Sequence, residues 1–209
     1  MSRDIPIIFS TAMIKALLAG RKTMTRRLAR TERKIPGPGS LGGESDRIER
    51  PSPWQNVKVG DRLWVREAAH YVIDQGTGKP AKVEGFFADN YTVPADDEWC
   101  VRSRPSIHMP RWASRITLPV TATKMEPLQD ISEEDAIAEG IERNVDGSFG
   151  VRGPLGGWLG STFATAREAF SYLWMSLHGA DSWATNPLVV APSFRLVTAN
   201  IDAPEARAA

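Results

Sequence analysis

Residues 5–28 read IPIIFSTAMIKALLAGRKTMTRRL, and the fold follows from how that stretch divides. Residues 5–9 are a short apolar run rich in β-branched side chains, the pattern of a strand. Thr11 then offers a hydroxyl to cap a helix, and Met13, Ile14, Leu17 and Leu18 fall on one helical face. Gly20 suits the left-handed position just past the helix end. The chain continues at once as RKTMTRRL. With Met24 and Leu28 turned inward, an extended chain brings Lys22 with Thr25 or Arg26 to one mouth of the sheet.

Outward from there, residues 31–56 are rich in Pro, Gly, Ser and charge without usable periodicity, and read as a surface loop. Val59-Gly60-Asp61 is a turn, and RLWVRE over residues 62–67 alternates like a strand. Residues 83–87 and 91–93 are weaker strand candidates. ITLPVTAT over 116–123 is a strand despite Pro119, which points to an edge or a bulge there. Ser132 caps a helix over 133–139 that carries acids in its first turn and Gly140 just past its end. Residues 146–160 are Gly-rich and expected to be irregular. Ala166, Phe170, Leu173, Trp174 and Leu177 share a face of a helix over 163–177. A turn at Asn186-Pro187 precedes a final apolar strand from Leu188. Short strands mixed with helices, without regular βαβ alternation, predict an α+β fold with a mostly antiparallel, barrel-like sheet.

The 209 residues suit one domain spanning 1–209, with 42% apolar and 24% charged residues, enough to bury a core. Net charge is +1, which excludes a generic polyanion binder. Residues 21–50 nevertheless hold nine Lys or Arg against four acids, a local excess of +5 that can attract phosphate. Seven Trp are many for this length, so several should anchor the core while one or two face a ligand. A single cysteine, Cys100, excludes an internal disulfide framework. No signal-peptide pattern and no run of 18 apolar residues occurs, so a cytoplasmic protein without a membrane partner is expected. His70, His108 and His178 lie far apart without ligand spacing, and neither a metal nor another cofactor is expected.

The densest polar cluster is Arg21 to Arg27. A threonine hydroxyl needs an adjacent base to act as a nucleophile. A lysine can be that base when burial or neighbouring cations lower its pKa, as three nearby arginines would. A solvated basic turn is the plain alternative. Glu139 sits in the last turn of its helix, where the dipole is negative; partial burial there would raise its pKa and suit a proton donor, whereas exposure would leave it an ordinary surface acid. Glu67 ends the RLWVRE strand beside Arg66, as a site residue or one partner of a rim ion pair. Alternation puts Leu63 and Val65 toward the core and Trp64 between Arg62 and Arg66 on the other face, where it either stacks a base or lies under a loop or helix. Hydrolase nucleophile-elbow, Walker and dinucleotide-binding motifs do not occur.

Three segments in order, FSTAMIKALLAGRKTMTRRL (9–28), VGDRLWVRE (59–67) and ITLPVTATKMEPLQDISEEDAIAEGI (116–141), resemble ASCH-domain proteins of the PUA-like superfamily, including many from phages and prophages. The resemblance covers residues 5–198 and implies a PUA-like β-barrel with flanking helices. Within that group the small bacterial N4-acetylcytidine amidohydrolases are similar at the GRKTxT segment. Their proton acceptor falls on Lys22, their nucleophile on Thr25 and their proton donor on Glu139. The resemblance therefore implies removal of an N4-acyl group from a cytosine nucleoside; Arg26 of the basic cluster, and Glu67, Trp64 and Arg66 of the RLWVRE strand, are the substrate-binding candidates that the residues themselves offer. It departs at insertions near 30–56, 74–107 and 143–161. The family also includes nucleic-acid binders and proposed nucleases, so a non-catalytic RNA- or DNA-binding module is the alternative and a ribonuclease a third.

Overall fold

The computed structural model describes residues 2–35, 46–97, 100–152 and 157–207. Its strands are β1 (Asp4–Ile8), β2 (Arg27–Leu28), β3 (Arg30–Ile35), β4 (Asp46–Pro51), β5 (Arg62–Arg66), β6 (Ala69–Ile73), β7 (Pro80–Phe86), β8 (Val101–Arg104), β9 (Thr117–Pro127), β10 (Glu142–Arg143), β11 (Phe149–Arg152), β12 (Trp158–Phe163) and β13 (Leu188–Phe194). The helices are α1 (Thr11–Leu18), α2 (Glu133–Ala138), α3 (Ala166–His178) and α4 (Pro204–Arg207). The chain is thus α+β. The barrel is not seen: among the described residues the strands form separate sheets of five, three, two and three strands, none closed on itself. No helix among those residues is long and apolar enough to cross a membrane.

The largest sheet runs β1-β5-β9-β13-β2. β1 pairs parallel to β5, with Ile5 opposite Leu63 and Ile7 opposite Val65, while the other neighbours are antiparallel. β9 is interior, not an edge. Pro119 is tolerated because a bulge falls beside it, where the register steps from Ser193 opposite Ala122 to Phe194 opposite Val120. One face of this sheet packs Leu63, Val65, Ile116, Leu118 and Val120 against Phe9, Ile14 and Leu17. A second core lies under α3, where Phe170 and Trp174 meet Leu128, Ile131, Ile141 and Val189.

All three expected insertions contain sheet. Residues 31–56 are not simply a loop: β3 and β4 form a hairpin with Thr31 opposite Arg50, followed by a 3-10 turn at Pro53–Asn56. Its strands escaped detection because Arg30, Glu32, Glu49 and Arg50 are charged and the one large apolar side chain described there, Ile48, is exposed, so no period of two marks a buried face. β6, β7 and β8 form another sheet, and residues 91–93, expected as a strand, lie outside it. The Gly-rich stretch 146–160, expected to be irregular, holds β11 and the start of β12, which pair with each other while β10 just before the stretch pairs with β11; its residues 153–156 lie outside the described residues. α3 begins three residues later than expected because Thr165 and Glu168 form a reciprocal capping box, leaving Phe163 in β12.

The two cores meet along residues 22–25. The amides of Thr23 and Met24 donate to Ala138 O (2.8 and 3.1 Å), and Thr25 N donates to Pro192 O (3.1 Å). Phe194 N returns a bond to Thr23 O (2.9 Å). The segment is therefore pinned between the end of α2 and β13, which fixes Lys22 and Thr25 beside Glu139.

Candidate active site

Lys22, Thr25, Arg26 and Glu139 are all buried, at 2%, 3%, 5% and 7% exposure, and share one cavity. Lys22 Nζ donates to Glu139 Oε2 (2.7 Å) and to the Glu139 carbonyl (2.8 Å). This is no solvated basic turn. Burial lowers the Lys22 pKa below the usual lysine value, with Arg27 and Arg26 pushing the same way and Glu139 opposing. Among the described residues the Thr25 hydroxyl has no hydrogen-bond partner, so Lys22 is held by Glu139 rather than by Thr25.

Arg26 is the hub of an acidic network. Its Nη2 donates to Glu126 Oε1 and Asp135 Oδ2, both at 2.6 Å, and its Nη1 to Glu139 Oε1 at 3.5 Å. Lys124 joins Glu126 (2.9 Å) and Asp135. The terminal nitrogens of Arg26, a substrate-binding candidate in the sequence, are therefore spent on carboxylates. Arg27 is the opposite case. It donates to Ile8 O (3.0 Å), lies over the rings of Phe9 and Trp54 (5.6 Å each), and has no ion-pair partner among the described residues. Burial lowers its pKa from the ordinary arginine value.

The cavity is about 40 Å³, close to the space of one water and too small for a nucleoside. Phe170, Leu173, Trp174, Leu177 and His178 of α3 form its far wall. The helical spacing of these residues marks a core stripe, and nothing in it marks the end that faces Thr25. His178 lies against Trp174, ring centroids 4.2 Å apart, and burial with help from Arg27 lowers its pKa. On the other side of Glu139 an apolar pocket of about 170 Å³ is lined by Ala12, Met13 and Ala16 of α1, Ile141, Val151 and Leu173, with Arg21 and Arg152 among its polar residues.

Glu67, Trp64 and Arg66 do not line the cavity. Glu67 is buried in an ion pair with Arg115 (2.9 and 3.1 Å), which also binds Asp89; burial raises the Glu67 pKa against the pull of Arg115. Trp64 is buried, with Arg66 over its ring at 5.6 Å. On the same face of β5 Arg62 donates to the carbonyls of Ile201 and Ala206, and the burial of Trp64 leaves it no open ring face for a base. The basic cluster is also neutralised in part: besides Lys22 and Arg26, Arg21 pairs with Glu142 and Arg30 with Glu49 (2.8 Å).

Gly140 sets the approach of α2 to Lys22. Its φ is +103°, and a Cβ there would lie 3.4 Å from Ala16 Cβ and 3.5 Å from Lys22 Cβ. Those contacts are nearly ordinary, so the cost of Gly140→Ala is mainly backbone strain, about 1–2 kcal/mol. Urea unfolding should show a lower midpoint with an unchanged slope.

No family model matches the chain, and no curated protein matches it. Among solved structures it is similar to the crystal structure of a protein from Enterococcus faecalis V583 described by the family model DUF984. The TM-score is 0.37 at 12% identity, over 95% of this chain and 82% of that one.

Proposed function

We propose that the protein is a metal-independent amidohydrolase that removes the N4-acyl group from N4-acetylcytidine or a related acylated cytosine nucleoside. The observation that carries this reading is the buried contact of Lys22 with Glu139 beside the unbonded hydroxyl of Thr25. The three residues match the positions that the ASCH resemblance marks as proton acceptor, donor and nucleophile. A PUA-like relation of the sheets belongs to the same proposal.

In the reaction, neutral Lys22 takes the Thr25 proton while Oγ1 attacks the acyl carbonyl carbon, and the carbonyl oxygen becomes the oxyanion. The proton passes along the 2.7 Å Lys22–Glu139 contact to the departing N4 amine, which leaves as cytidine. The C–N bond breaks as the carbonyl re-forms. Water then attacks the acyl-threonine, giving up one proton to restore the Thr25 hydroxyl and releasing the carboxylic acid. The cavity accepts the acyl group, and the pocket beyond Glu139 offers room for the rest of the substrate.

Cytidine release from N4-acetylcytidine, followed by ultraviolet absorbance, tests the reading, with Lys22→Ala as control. Because the neutral form of Lys22 is the active one and burial lowers its pKa, kcat should rise with pH along a limb whose midpoint lies below 10.5. A flat profile across that range would remove Lys22 from the role of base.

One observation favours a nucleic-acid reading. Phe87 is partly exposed and stacks on His70 (4.5 Å, 6° between planes), beside a groove of about 510 Å³ that also holds Arg104, Pro105 and Ser106. Aromatic and arginine side chains together suit a stacked base and a phosphate. Tight binding of a single-stranded oligonucleotide that weakens steeply with salt, without deacylation, would select this reading.

A further inference from the structure

Three side chains that line the Thr25 cavity each keep a buried N–H without an acceptor among the described residues: Arg26 Nε, Arg27 Nε and Trp174 Nε1. Arg26 and Trp174 are 5% and 4% exposed. Buried donors are normally paired, because an unpaired one costs about 1–3 kcal/mol. The carboxylates around the same cavity are already engaged by cations, and the Thr25 hydroxyl is the oxygen left unbonded there among the described residues. Glu139 Oε2 takes Lys22 and Oε1 takes Arg26, while Asp135 and Glu126 take Arg26 and Lys124. The cavity therefore presents spare donors, and what fits it brings acceptor oxygens.

Charge points the same way. Counting Lys22, Arg26, Arg27 and Lys124 against Glu126, Asp135 and Glu139 gives four cations and three anions, and Arg27 is the one cation without an ion-pair partner. With Lys22 neutral the cluster balances. Once Lys22 takes the Thr25 proton it carries one positive charge in excess, which a single oxyanion cancels. At about 40 Å³ the space is small, which favours a small acceptor such as a carboxylate.

We infer that Arg27 and Trp174 form an oxyanion site: Trp174 Nε1 and the Arg27 guanidinium receive the acyl oxygen during turnover, and the same site binds the small carboxylate released as product. The catalytic half of this inference rests on the amidohydrolase reading, and the carboxylate-binding half does not. Trp174 is then a catalytic residue supplied by a helix face otherwise given to the core, and Arg27 takes the part that its neighbour Arg26 is too heavily bonded to fill.

The test is the thermal midpoint of the protein in sodium acetate against sodium chloride at equal ionic strength, for wild type, Trp174→Phe and Arg27→Met, together with kinetics on N4-acetylcytidine. Trp174→Phe keeps an aromatic in the core and removes one N–H, so it remains informative if Arg27→Met does not fold. Acetate should raise the midpoint of wild type and act more weakly on Trp174→Phe, whose kcat falls about 100-fold with little change in KM. Absence of an acetate-specific shift in wild type overturns the inference whatever the kinetics, and means that ordered water satisfies these donors. An equal shift in wild type and Trp174→Phe overturns the part assigned to Trp174. An acetate shift lost in the variants, with no turnover by wild type, keeps the carboxylate site and removes the amidohydrolase reading.

Discussion

Glu139→Ala should be the most destabilising single substitution around the site, by roughly 3–5 kcal/mol. At about 2–4 °C per kcal/mol for a chain of this length, that is a fall of about 6–20 °C in Tm. Among the described residues Glu139 is the only carboxylate that Lys22 contacts, and it also accepts from Arg26. Removing it leaves a buried ammonium without a counter-ion, although Arg26 retains Glu126 and Asp135. The loss depends on pH in a definite sense. In the folded protein the Lys22 pKa lies below the 10.5 of the unfolded chain, so between the two values the unfolded chain holds more protons and stability rises with pH. Without Glu139, which opposes this shift, the folded pKa drops further and Lys22 sheds its charge sooner. Differential scanning calorimetry should therefore find the deficit of Glu139→Ala largest near neutral pH and smaller toward pH 10. A deficit independent of pH would mean that Lys22 is not its source.

Thr25→Val should separate chemistry from stability. The Thr25 hydroxyl has no hydrogen-bond partner among the described residues, and the side chain is 3% exposed. Exchanging it for a methyl group breaks no bond and keeps the shape, so stability should stay within about 0.5 kcal/mol of wild type. Deacylation should fall at least about 1,000-fold, since the nucleophile is gone while the binding surfaces remain. Chemical denaturation and steady-state kinetics on the same preparation supply both numbers. A large loss of stability would show that the hydroxyl is a structural group.

The legible parts of this molecule are those where chemistry or period is local. Strand β1, helix α1 and the turn into Lys22 follow from residues 5–28 because apolar spacing and Gly20 agree within one short stretch, but the cap is Ser10, whose hydroxyl accepts from Met13 N, and Thr11, expected as the cap, is the first helical residue. Lys22, Thr25 and Glu139 were nameable as chemical types, and the structure gathers them. What it adds is long-range. Arg26 and Arg27 are adjacent and identical in the sequence; one is neutralised and the other is not, because Glu126 and Asp135 arrive from 100 and 109 residues away. For Trp64 the alternation of β5 left a stacking platform and a covered side chain both open, and the structure buries it with Arg66 over its ring. The charged hairpin of β3 and β4 left no apolar period to detect. A barrel was expected from the pattern of short strands as well as from the resemblance, and the described sheets are open.

The most direct measurement is cytidine release from N4-acetylcytidine by the wild-type protein beside Thr25→Val, both checked for folding by circular dichroism. The account predicts steady turnover by wild type and its near-complete loss in the variant. Equal turnover by the two proteins, or none by a folded wild type, would contradict it.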